Sequence, residues 1–96
     1  MLKTMNDNSK RVELNVYIET GCEQCERAVQ LAQEIDYGYS RLAVSVIDVG
    51  ESAVRPDDVF AVPTFMLNGR VFSLGNPQET HLRQEIEALL RERDSV

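Results

Sequence analysis

Between residues 12 and 49 the apolar residues change their spacing twice, which leaves the chain few architectures to choose from. In VELNVYIE (12–19), Val12, Leu14, Val16 and Ile18 alternate with Glu13, Asn15, Tyr17 and Glu19. A period of two belongs to a strand with one buried face. Further on, Ala28, Leu31, Ala32 and Ile35 fall at i, i+3, i+4 and i+7, the spacing of one helix face. Gly38 is expected to end that helix, because glycine tolerates a left-handed cap, with Tyr37 and Tyr39 packing at its end rather than binding a ligand. AVSVIDV (43–49) is rich in β-branched apolar residues and reads as a second strand. The helix and turn between the strands give room for a crossover, so they are expected to run parallel with a right-handed connection.

The segment GESAVRPDDVFAV (50–62) is polar with a central proline, and has room for one or two helical turns around Ser52–Arg55 or Asp57–Phe60. Beyond it, Pro63 to Leu67 and Arg70 to Leu74 flank Asn68-Gly69. Asn-Gly between apolar runs predicts a hairpin, since a type I′ turn needs positive φ at both central residues. A last helix should follow Gly75, with Asn76 as its cap, Pro77 at its first position, and Leu82, Ile86, Leu89 and Leu90 as its apolar stripe. The expected fold is α/β: a β-α-β unit, a shortened crossover, a β-hairpin and a C-terminal helix on a mixed four-stranded sheet. Residues 1–11 are expected to be a flexible arm, and 12–93 one domain.

Composition narrows function by exclusion. A formal net charge of -6 makes nucleic acid or an anionic membrane a repulsive partner. No apolar run is long enough to span a bilayer, and the first residues lack the apolar centre of a secretory signal. The expected setting is therefore cytoplasmic. There, two cysteines point to catalysis or metal binding rather than to a structural staple.

Both cysteines lie in TGCEQCER (20–27), where the first strand has ended and the helix begins. Unpaired N–H groups and the helix dipole at such a terminus favour a thiolate, the nucleophilic form. Cys22 would attack; Cys25, one turn on and less exposed, would resolve a mixed disulfide formed on Cys22. The same spacing supplies two zinc or iron–sulfur ligands, which would need a dimer or help from His81. It is also compatible with two buried small hydrophobes, or with a binding module whose thiols are inert.

The surroundings of the pair resemble the thioredoxin-like superfamily, especially its small thioredoxin- and glutaredoxin-type members. The matching residues are VYIETG running into Cys22-Glu23-Gln24-Cys25, then Val62-Pro63-Thr64 opening the strand Phe65-Met66-Leu67, the Asn68-Gly69 hairpin, and Gly75. Together they span roughly residues 12 to 91. The resemblance implies a thiol–disulfide oxidoreductase with Cys22 and Cys25 catalytic and no cofactor, acting on protein disulfides and recharged by an upstream thiol reductant. It further implies a substrate seat at Val62, Pro63, Thr64 and Gly75, with Pro63 cis and Val62 offering its backbone to an extended substrate. The sequence departs from the family in lacking Trp, and in lacking the paired glycine and acidic residue that mark glutathione binding after the hairpin. Its short crossover leaves one sheet face thinly covered, and a protein partner could dock there.

Glu19, Glu23 and Glu26 set the direction of electron flow. A helix terminus favours an adjacent anion by about 0.3–1 kcal/mol, whereas a solvated carboxylate roughly 7 Å away opposes it by about 0.6 kcal/mol. Two or three glutamates, with Arg27 offsetting one, cancel the helix effect. A thiolate stabilised this little favours the disulfide form, which makes the pair a reductant. Asp48, at the end of the second strand, is a weaker candidate as proton acceptor for Cys25; solvation of the strand end is the plainer reading.

Overall fold

The computed structural model describes residues 11–50, 59 and 61–94. Six elements follow one another: β1 (Val12–Ile18), α1 (Glu23–Gly38), β2 (Leu42–Asp48), β3 (Thr64–Leu67), β4 (Arg70–Leu74) and α2 (Glu79–Asp94). They form one sheet in the order β2-β1-β3-β4. β1 and β2 run parallel from Val12↔Leu42 to Ile18↔Asp48, as the crossover through α1 requires. β3 lies antiparallel on the other side of β1, pairing Leu14 with Leu67 and Tyr17 with Thr64. The hairpin turn has Asn68 at φ 52 and Gly69 at φ 82, the two positive values that the Asn-Gly pair predicted. Met66 pairs with Val71 but Phe65 with Ser73, so Phe72 is an extra residue in the ladder, a β-bulge.

Alternation along β1 sends Val12, Leu14 and Val16 into the main core, where all three are fully buried. Ala28, Ala32 and Ile35 of α1, and Leu82 and Ile86 of α2, meet them from above, together with Phe65 and Leu67 of β3. Both helices therefore cover the same sheet face. Each fully buried side chain of the Leu, Ile or Phe class removes enough apolar surface from water to stabilise by about 1.5–3 kcal/mol. Small Ala28 and Ala32 let α1 approach the strands closely. This helix carries Cys25 at its start, so its packing also fixes the redox pair against the sheet.

Four details differ from the sequence reading. Gly38 belongs to the helix, without the positive φ of a left-handed cap; Tyr39 ends it in an extended conformation. Asn76 does not cap α2, which begins at Glu79, with Leu82 N donating to the Gln78 carbonyl instead. Tyr17, placed by alternation on the polar side of β1, is buried in a second cluster with Val59 and Met66, flanked by Ile47 and Val49. Val59, from the segment after β2, reaches the second sheet face and covers it there, a tertiary contact that no local period announces. Tyr37, expected to pack at the end of the first helix, is 95% exposed. The short helical turns expected around Ser52–Arg55 or Asp57–Phe60 fall outside the described residues but for Val59, and the N-terminal arm does so but for Arg11. Among the described residues no helix is long and apolar enough to cross a membrane.

Candidate redox site

The site is assembled at one end of the sheet. β1 runs toward it and delivers the chain into Thr20-Gly21-Cys22; antiparallel β3 starts there, so Pro63 stands at the same end; β4 finishes there and leads into Gly75. The chain turns at Glu19–Cys22, where Cys22 N donates to the Glu19 carbonyl at 3.2 Å and Gly21 adopts φ 88. A side chain at Gly21 would meet no other atom, so conformation alone demands the glycine.

Cys22 caps α1. Its backbone is extended, and its Sγ accepts a hydrogen bond from Cys25 N at 3.1 Å. The same N–H reaches the Cys22 carbonyl at 3.1 Å. A helix-terminal donor is thus aimed at the sulfur, which is the arrangement that favours negative charge there. Cys22 and Cys25 are joined as a disulfide, with Cα atoms 5.1 Å apart. Their exposures are unequal: Cys25 is 3% exposed, behind a half-buried Cys22.

Two side chains that sequence reasoning left without these roles hold the surroundings. Asp48 Oδ2 accepts from the Thr20 hydroxyl at 2.7 Å, while its Oδ1 accepts from Gly50 N at 2.8 Å. Asp48 therefore braces the turn that presents Cys22, at a strand end that stays open to solvent. Its bond to Gly50, two residues on, follows the local Asx pattern and was open to a sequence reading; the bond to Thr20 was not. Asn76 Nδ2 donates to the Gln24 carbonyl, within the C-x-x-C segment, at 3.1 Å.

At the same end of the sheet as the cysteines, the Val62–Pro63 peptide bond is cis, as the resemblance implied. Pro63 and Thr64 are buried; Val62 is half-buried. The Thr64 hydroxyl donates to the Ala61 carbonyl at 2.6 Å, so it shapes the loop from within. Gly75, at φ 94, donates its N–H to the Pro63 carbonyl at 2.7 Å, and no atom stands where its side chain would be. The structure thus brings the Val62–Thr64 segment and Gly75 into one hydrogen-bonded unit at the end of the sheet where α1 begins.

Glu19, Glu23 and Glu26 are all exposed around the pair. An open groove of about 780 Å³ extends from Glu23 and Glu26, lined also by Glu34 and Glu79 with Arg27, and by Asn76. Its charge is predominantly negative. His81 stands apart, its ring 5.1 Å from that of Phe72. Among the described residues no three His, Cys, Asp or Glu side chains gather in a way that could hold a metal.

Residues 12–90 match the family of the thioredoxin domain. The chain belongs to that family. A thioredoxin domain with its C-x-x-C pair at disulfide distance is a thiol–disulfide redox protein, so the pairing of Cys22 with Cys25 is functional rather than a staple. Solved structures agree on the fold. Thioredoxin of Fasciola hepatica is 22% identical, with a TM-score of 0.70 over 91% of this chain and 88% of that one. Deadhead, a germline-specific thioredoxin of Drosophila melanogaster, is 20% identical with a TM-score of 0.65 over 92% and 90%. Mitochondrial thioredoxin 3 of Saccharomyces cerevisiae, in its oxidized form, is 22% identical with a TM-score of 0.62 over 91% and 88%. No curated protein matches the chain.

Proposed function

We propose that this thioredoxin-domain protein is a reductant of protein disulfides, cycling Cys22 and Cys25 and drawing electrons from an upstream thiol in the cytoplasm. One observation carries the reading: Cys22 Sγ accepts from the Cys25 N–H, in the first turn of α1, with the Cys25 side chain buried behind it. The outer sulfur is the one a substrate can meet. The inner one is protected until a mixed disulfide forms within its reach.

In the reduced protein, Cys22 as thiolate attacks one sulfur of a substrate disulfide. The Cys22–substrate bond forms as the substrate S–S bond breaks, and the departing thiolate takes a proton from solvent. Cys25 then loses its proton and attacks Cys22 Sγ, closing the intramolecular disulfide and releasing the second substrate thiol. Two electrons pass from the dithiol to the substrate, and an upstream dithiol returns them by the reverse exchange. The substrate chain would lie against Val62, whose backbone pairs with it, over Pro63 and beside the open face of Gly75, with Thr64 supporting the loop from beneath.

Direction and partner follow from charge. Exposed Glu19, Glu23 and Glu26 offset the helix terminus, leave the thiolate little stabilised and so favour the disulfide product. The acidic groove next to them favours basic or neutral substrate surfaces. The second sheet face, where Glu13, Ser45 and Val71 stay exposed around the Tyr17 cluster, offers room for a protein partner.

Insulin reduction tests the reading. The protein should accelerate cleavage of insulin disulfides well above the dithiothreitol background, and Cys22→Ser should return the rate to that background. Equal rates with and without the Cys22 sulfur would overturn it.

A further inference from the structure

We propose that Asn76 is a positioning residue, which sets the distance between the attacking sulfur and the seat on which a protein substrate lies. The inference rests on the reductase reading and adds to it a residue that acts through the spacing of two parts of the site, by its bond to the Gln24 carbonyl.

Two stiff pieces face each other at the site. One is the start of α1, where Gln24 and Cys25 are held by helix geometry and Cys22 stands as the cap, an arrangement that does not need the disulfide. The other is the seat. There the Gly75 N–H clips onto the Pro63 carbonyl at 2.7 Å, and Ser73 Oγ donates to the Gly75 carbonyl at 2.8 Å. Asn76 joins the two directly: its Nδ2 donates to the Gln24 carbonyl at 3.1 Å, across 52 residues of sequence. A carbonyl has two lone pairs, so Gln24 can hold this bond beside its helical one. The tether is short and stiff at its base. Asn76 directly follows Gly75, and Pro77 behind it fixes its own φ and restricts the residue before it.

This geometry matters only for a substrate that uses both pieces. A polypeptide paired with the Val62 backbone must bring its sulfur into line with Cys22, and such bimolecular alignment is sensitive to displacements of an ångström or less. A small symmetrical disulfide meets Cys22 alone, and needs no seat. Asn76 therefore affects the choice between protein and small-molecule disulfides, while leaving the sulfurs' own chemistry alone.

The test uses the fully reduced protein, mixed in stopped flow with insulin or with bis(2-hydroxyethyl) disulfide, which is small and uncharged. Asn76→Ala should lower the second-order rate constant for insulin about tenfold and leave that for the small disulfide within about twofold. Asn76→Asp keeps the shape but turns an acceptor toward the Gln24 carbonyl, and should show at least the same separation. A merely structural role would move both rates together. Parallel losses in both variants, or an unchanged insulin rate, would overturn the inference. Wild-type protein inert toward both disulfides would instead remove the reductase reading, and the inference with it.

Discussion

At Cys22 and Cys25 a difference of one helical turn in depth underlies the two roles proposed for them, attack and resolution. The reduced protein should be alkylated by iodoacetamide first at Cys22, since Cys25 is 3% exposed and only thiols that reach solvent as thiolates react. Peptide mass mapping of singly modified protein checks this; a first adduct on Cys25 would reverse the assignment. Cys25→Ser should accumulate a mixed disulfide between Cys22 and its substrate, visible as an added mass that dithiothreitol removes. The cysteine spacing and its helix-start position were legible because two residues and one turn settle them. Asn76 was legible only as a polar residue before Pro77. Capping was the sound local inference for it, but α2 starts at Glu79, and the amide turns instead to Gln24, a partner that only the tertiary fold brings near.

Among the elements, the turn before α1 and the end of that helix place opposite demands on glycine. Gly21 holds φ 88 in open space, so Gly21→Ala should cost about 1–2 kcal/mol through backbone strain, read as a lower urea midpoint. Gly38 lies within α1, and a methyl there would touch only the flexible tip of Arg83, at 3.4 Å. Gly38→Ala should therefore leave the urea midpoint unchanged or raise stability by up to about 1 kcal/mol. A loss like that at Gly21 would show that Gly38 needs its conformational freedom after all. The strands, hairpin and helices were readable because apolar period and turn chemistry are local. Burial of Tyr17 was not, because its cover, Val59, comes from a polar segment with no period of its own.

In the molecule as a whole, the end of α1 is tied to the first half and middle of α2 by Tyr39, whose hydroxyl donates to Glu87 Oε2 at 2.6 Å while Arg83 lies 5.7 Å from its ring centre. Burial, and then the bond to Glu87, hold the Tyr39 hydroxyl above its ordinary value of 10.0, with Arg83 opposing. A folded-state value above the unfolded one means a contribution fully present below about pH 10 and lost as pH rises through the raised value. Tyr39→Phe should flatten that alkaline fall in stability, and denaturant midpoints across the range would reveal it; an unchanged slope would contradict the tie. All these features hold in place one couple, and the most direct measurement is its potential. Equilibrating Cys22–Cys25 against glutathione and thioredoxin buffers should give a single two-electron transition on the reducing side, near the thioredoxin range of about -270 mV. A pair that never opens, or one as oxidising as about -120 mV, would contradict the account.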